Sequence, residues 1–218
     1  MARIKKESLV DQVYQRLRED IITLKLPLGT RINVNELQAR LGVSCTPVRE
    51  AVNRLQQEGL VSYENNVGAS VLLLDEHDVR EITQLAYTLQ QAAVDLSMEH
   101  GDREEMARDI REQIQRYETA RTPRETVRAV YELIGTFYHH CGNRRLDESM
   151  IALQGQVLLL RNIYAACPGA REDGDLFRQM LSGVEQGDPQ MICRALRDYG
   201  ERCSGPILDW LRSNGYIQ

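Results

Sequence analysis

Two arginines five residues apart, Arg49 and Arg54, carry the strongest chemical signal in this chain, the first lying in the run Ser44-Cys45-Thr46-Pro47-Val48-Arg49-Glu50-Ala51. A guanidinium presents a planar fork of donors that matches a phosphate or the acceptor edge of guanine. Upstream, Ser44 and Thr46 are residues of the kind that cap a helix by accepting a backbone N–H. Pro47 suits a first turn, where its missing donor has no partner to lose. The free amides and positive dipole end of such a helix attract a phosphate. A five-residue spacing turns the two side chains away from a common face, so one is expected toward a base edge and the other toward phosphate.

A further arginine, Arg161, interrupts the apolar stripe Leu153, Val157, Leu158, Leu160, Ile163 and Tyr164. It must run its head to solvent, pair with a carboxylate, or meet an anionic ligand. Pairing with an internal glutamate is the plainer reading. The other is contact with a small-molecule effector, with Tyr87, Tyr138, Tyr164 and Tyr199 as companions in the same site.

Other chemistry-bearing residues point to nothing catalytic. His139 and His140, followed by Cys141, are helix neighbours about a hundred degrees apart and converge poorly on one ion, so helix-end packing or exposure is expected. His77 and His100 fall at helix ends, and Glu185, Asp188 and Glu201 form no spaced acid/base pair. No nucleophile elbow, Walker loop or dinucleotide fingerprint occurs. No enzyme, catalytic residue, cofactor or metal is therefore expected. The five cysteines are odd in number and lack Cys-x-x-Cys spacing, which argues against a disulfide framework or a zinc knuckle. Cys45 alone stands where oxidation or alkylation would touch a binding surface.

The elements that must position these groups are legible from periodicity and breakers. Val10, Val13, Tyr14, Leu17, Ile21 and Ile22 mark a helix from Glu7 or Ser8 to about Thr23, stopped by Pro27 and Gly29. A second helix spans 33–41, with Val34, Leu37 and Leu41 at helical spacing, and Gly42-Val43 supplies the turn into the helix that carries Arg49. Leu60 to Tyr63 and Ala69 to Leu73 read as two strands around Glu64-Asn65-Asn66-Val67-Gly68, a hairpin. Beyond it the pattern is helical at about 75–99, 102–120, 124–140, 144–166, 171–186, 188–202 and 204–214, with Gly and Pro at most of the breaks. The expected fold is mainly α: an N-terminal helix-turn-helix with a small hairpin over 1–74, and an all-α bundle of six or seven helices over 75–218.

Composition fits an ordinary globular protein, with 42% hydrophobic and 27% charged residues in 218. No long apolar run predicts a membrane span, and the charged start Met1 to Glu7 has no apolar core behind it, so a cytoplasmic location is expected. The net charge of −5 divides unevenly. Residues 1–74 hold ten Lys/Arg against eight Asp/Glu, whereas 75–218 hold seventeen against twenty-four. Local clustering of Arg3, Lys5, Lys6, Arg31, Arg40, Arg49 and Arg54, rather than whole-chain charge, would serve an anionic partner.

Four blocks in order, Leu26-Pro27-Leu28-Gly29-Thr30-Arg31, Leu41 to Ala51, Arg54-Leu55 and Glu58-Gly59-Leu60-Val61, resemble the N-terminal domain of the GntR family of bacterial transcription regulators. The resemblance implies a winged helix that binds double-stranded DNA as a homodimer on a near-palindromic operator. It implies Arg49 as base reader, Ser44 and Thr46 at the helix tip, and Arg31, Asn35 and Arg54 nearby. Asn65, Asn66 and Gly68 of the wing would approach the minor groove, or form only a hairpin turn. Relatives commonly carry Arg where Cys45 stands, so one base contact should be replaced.

The remainder resembles the FadR subfamily, with an FCD-type effector and dimerisation domain, on Gly142-Asn143-Arg144-Arg145-Leu146, the long helix after the wing and Glu185-Gln186-Gly187-Asp188. Many such domains hold a divalent metal with one Asp and three His. Those positions fall here on Val130, Ile134, Phe177 and Tyr199, so no metal is expected; Ala86 and Gln90 replace a further Arg and Glu. The implied function is a regulator, a repressor by this reading, whose operator affinity responds to a small-molecule effector, an organic acid among the candidates. Two alternatives stay open: a DNA-binding dimer without effector, and a helical catalytic or scaffold module whose winged helix makes protein contacts.

Overall fold

The computed structural model describes residues 8–64, 68–168, 170 and 172–217, which fall into two compact units, Met1–Leu73 and Leu74–Gln218. The first unit begins with α1 (Leu9–Ile22), opened by a capping box in which Ser8 and Asp11 exchange side-chain and backbone hydrogen bonds. Val13, Leu17 and Ile21 recur every four residues and are buried. That stripe packs on α3 (Cys45–Gln57), which buries Val48, Ala51, Val52 and Leu55. Each Val, Leu or Ile among them stabilises the fold by about 1.5–3 kcal/mol when fully buried.

Between them lies α2 (Val34–Leu41), capped by Asn33, whose Oδ1 accepts from the amides of Asn35 and Glu36. It ends at Gly42, whose φ of 67° is left-handed, so a residue without Cβ reverses the chain there at least cost. The strands β1 (Val61–Glu64) and β2 (Gly68–Val71) pair antiparallel, with Val61 opposite Val71 and Glu64 opposite Gly68. The other edge of β2 takes the segment 29–32: Arg31 bridges Ser70, and the Ile32 amide donates to Ala69 at 2.8 Å.

The second unit is helical throughout its described residues: α4 (Glu76–His100), α5 (Arg103–Thr119), α6 (Pro123–His140), α7 (Arg144–Ala165), α8 (Gly174–Gln186) and α9 (Pro189–Ser213). α4 and α7 pack on each other and both also meet α6 and α9, while α5 and α8 pack on each other and on α6 and α9 respectively. Capping is thorough. Asp75, Asp102, Thr122, Asn143 and Asp188 each accept amide hydrogens at the start of a helix. α8 and α9 approach closely at Gly183, where an added Cβ would lie 2.6 Å from Ile192 Cγ1.

The mainly α fold with a small hairpin is as the sequence implies, and two boundaries differ. The final two segments are one helix that runs through Pro206. Ile192, Leu196, Tyr199, Cys203, Ile207 and Leu211 keep one buried stripe without a change of phase, and packing of that stripe outweighs the amide lost at Pro206. α8 begins at Gly174 rather than 171, and its N-cap Asp173 makes no capping bond. The Asp173 carboxylate instead accepts from Tyr164 Oη at 3.0 and 3.1 Å and from Arg202 at 3.4 Å.

Candidate nucleic-acid interface and interior cavity

On α3 the buried stripe leaves Ser44, Thr46, Arg49 and Glu50 exposed, so packing on α1 fixes which face looks outward. The expected side-chain cap is not made. Ser44 takes the extended N-cap conformation yet forms no cap hydrogen bond, and Thr46 lies inside the helix as its second residue. The first amides of α3 therefore lack a carboxylate or hydroxyl of the chain itself, the condition under which a helix start receives a phosphate. Cys45 is half-buried and its thiol donates to Gln38 Oε1 at 2.6 Å, with exposed Asn35 3.9 Å away. The thiol thus braces α3 against α2.

Ion pairing sorts the cations of this unit. Arg16 pairs with Asp20 at 3.3 Å and Arg18 with Glu58 at 2.7 Å, where Tyr14 Oη also donates. Arg54 meets Asp11 at 2.7 Å. Hydrogen bonds from Ser8, then Arg54, hold the Asp11 carboxyl down at about 2. Arg54 is thus engaged with α1 through one guanidinium nitrogen, and the Asp11 carboxylate offsets its charge toward an anionic partner. Among the described residues Arg31, Arg40 and Arg49 are exposed and form no ion pair. Arg31 shares a shallow groove with Asn33 and Gly68 at the base of the hairpin. Asn65 and Asn66, like Arg3, Lys5 and Lys6, lie outside the described residues.

The helical unit contains a cavity of about 230 Å³ between α4, α7 and α9, walled by Ile82, Ala86, Leu160, Leu196 and Ile207. Exposed Gln84, Arg197 and Glu201 mark its mouth. Arg161 borders it and also two smaller cavities, of about 40 and 10 Å³, on the sides of α6. It is 9% exposed, and among the described residues no carboxylate pairs with it. The internal glutamate partner that the sequence favoured is not found among the described residues.

The four companion tyrosines divide. Tyr87, Tyr164 and Tyr199 line the large cavity, and Tyr138 lines the 40 Å³ one. Tyr87 accepts from Arg197 at 3.0 Å beneath its guanidinium, and the Tyr164 hydroxyl is spent on Asp173. Tyr199 packs edge-on to Tyr164, 6.3 Å between centroids. The Tyr138 hydroxyl is buried with no hydrogen-bond partner among the described residues. Burial holds the hydroxyls of Tyr138, Tyr164 and Tyr199 protonated, well above the usual phenol range.

Residues 9–71 match the model of the bacterial regulatory proteins of the gntR family, and residues 81–202, more than half of the chain, match that of the FCD domain. The chain belongs to the GntR family. Within it, the chain is 25% identical over 199 residues to the "Probable D-xylose utilization operon transcriptional repressor" of Paenarthrobacter nicotinovorans, covering 89% of this chain and 86% of that protein. It is 36% identical over 95 residues to the HTH-type transcriptional regulator YdhC of Bacillus subtilis (strain 168), covering 44% of this chain. The match spans only 42% of the length of the YdhC protein. In fold it is similar to E. coli McbR/YncC, with a TM-score of 0.77 at 21% identity, covering 94% of this chain and 99% of that one.

The four positions that the FCD resemblance assigns to a metal are buried: Val130, Ile134 and Phe177 are hydrocarbon side chains and Tyr199 is a phenol. Among the described residues no group of three or more His, Cys, Asp or Glu could hold a metal ion. His140 stands 3.7 Å from Asp109, and Cys141 donates to the Tyr138 carbonyl. Sequence reading missed the Asp173 cluster, which draws on Tyr117, Tyr164 and Arg202. It noted Gln90 only as a substitution. That residue is 8% exposed and borders both the large cavity and the 40 Å³ one.

Proposed function

We propose that this protein is a transcriptional repressor that binds a near-palindromic operator as a homodimer and loses or gains affinity for it when a small molecule occupies the helical domain. The observation that carries the DNA half is Arg49, exposed and without an ion pair among the described residues, about one turn into a helix whose start no side chain caps. It is the residue we assign to a guanine edge, with Ser44, Thr46 and the first amides of α3 on the adjoining phosphate. Arg31, Asn35 and Cys45 border this surface, and Gly68 places backbone at the wing. The repressor sign is supported by the name of the Paenarthrobacter relative, a probable transcriptional repressor.

A single winged helix covers little DNA, which favours two copies on a symmetric site. Leu85 on α4 and Ile151 on α7 are 50% and 53% exposed, on helices that pack on each other, and supply apolar surface for a second copy. The cavity around Arg161 is the reason to assign an effector rather than a plain dimerisation body. Coupling requires that the ligand bind the two states with different affinity.

The test is binding of the purified protein to the promoter fragment of its own gene, read by fluorescence anisotropy at several salt concentrations. Affinity should fall steeply with salt. Arg49→Ala should weaken specific binding by about 1–3 kcal/mol and relax base preference at one position of each half-site. Equal binding by wild type and Arg49→Ala counts against the assignment.

A further inference from the structure

The structure leaves one buried cation of the helical unit without an anion. Elsewhere the unit pairs its buried charge with care: Asp173, 1% exposed, has Tyr164, Arg202 and its own amide's bond to Tyr117 around it. Arg161, 9% exposed, has no hydrogen bond or ion pair among the described residues. A guanidinium that is largely buried at a cavity wall without a counter-charge is costly, and a bound anion offsets that cost.

Two other polar groups share its position. Gln90 is 8% exposed and no side-chain hydrogen bond satisfies its amide among the described residues; with Arg161 and Val157 it borders both the large cavity and the 40 Å³ one. Across that smaller space stands Tyr138, its buried hydroxyl unpartnered. Gln90 of α4 and Arg161 of α7 therefore border both cavities, and Tyr138 of α6 lines the smaller one beside them. Unpaired donors at one point and hydrocarbon walls elsewhere define a ligand with one charged end.

We propose that the cavity holds an amphiphilic organic monoanion, its anionic group on Arg161, Gln90 and Tyr138 and its hydrocarbon or aromatic body between Ile82, Ala86, Leu160 and Ile207. This rests on the effector reading above and names its ligand class. A polyhydroxy acid is disfavoured, because its hydroxyls would be desolvated against Leu and Ile with nothing to pair them. A second charge is not provided for: Arg197 at the mouth is bound to Tyr87, and Asp198 and Glu201 act on it electrostatically. An apolar cavity of about 150 Å³ admits benzene, so about 230 Å³ suits a body of roughly ten heavy atoms. The arginine itself supplies the cation, so no divalent ion is required.

The full chain, treated with EDTA, is titrated calorimetrically with octanoate and 3-phenylpropionate, and in parallel with 3-phenylpropanamide and gluconate. Both amphiphilic acids should bind, and the amide and gluconate at least about tenfold more weakly, as loss of a charge-assisted bond implies. In Arg161→Met the acid should lose its advantage over the amide, and Tyr138→Phe should weaken the acid severalfold. Should Arg161→Met fail to fold, the acid-to-amide ratio in the wild type decides. Gluconate binding as well as the acids, absence of binding by either acid at millimolar concentration, or dependence on added zinc overturns the proposal. Acid binding that leaves operator affinity unchanged supports the ligand assignment and overturns the effector reading.

Discussion

Among the cations of the N-terminal unit, contact with a carboxylate separates groups that composition treats alike. Arg54 and Arg49 sit one and a half turns apart on α3, yet only Arg54 is tied to Asp11. A phosphate must compete with that carboxylate for Arg54, and Arg49 has no such competitor. Arg54→Ala should accordingly leave DNA affinity within about threefold of wild type, a loss smaller than the 1–3 kcal/mol of a bidentate base contact. Arg31→Ala should lower the slope of log affinity against log salt by about one, the signature of a single phosphate contact. Both are read from the same anisotropy titrations. If Arg54→Ala proves as damaging as Arg49→Ala, the Asp11 pair opens on DNA and the sorting by ion pairs fails. Cys45 belongs to the same scale, since its bond to Gln38 shows a thiol serving as a brace between α2 and α3.

Helices α7, α8 and α9 show how packing overrides local signals. The break expected between 202 and 204 is absent and Pro206 is carried inside α9, because the stripe from Ile192 to Leu211 is buried along its full length. Asp173 holds the N-cap position of α8 but its carboxylate is recruited by Tyr164 and Arg202, which leaves α8 to start without a capping bond. Close approach of α8 and α9 depends on Gly183. A methyl there would meet Ile192 Cγ1 at 2.6 Å and the Asp188 carbonyl at 3.1 Å, backbone that cannot swing aside. Gly183→Ala should destabilise the helical unit by about 1–3 kcal/mol, measured as a lowered urea midpoint with unchanged slope. A stability equal to wild type would show that the two helices part without cost.

At the scale of the whole molecule, the charge division matters more than the total. The N-terminal unit gathers exposed, unpaired arginines for an anionic partner, and the acidic helical unit carries the cavity and the apolar surface assigned to a second copy. Leu85→Glu combined with Ile151→Glu should shift the protein from dimer to monomer in sedimentation equilibrium and weaken operator binding, because two half-sites are then gripped independently. A double variant that remains dimeric would place the contact on another face.

The sequence alone determined what local chemistry encodes: Asn33 and Gly42 bound α2, the four-residue stripes of α1 and α3 select their inward faces, and the blocks around Arg49 assign the family. Those signals act within a turn or two, so one sequence suffices to read them. Tertiary structure decided which charges find partners. Arg54 meets a residue 43 positions away, Arg18 one 40 away and Arg202 one 29 away, while Arg161 meets none among the described residues. Such pairings depend on where helices cross and at what rotation, and spacing along the chain carries no record of that geometry.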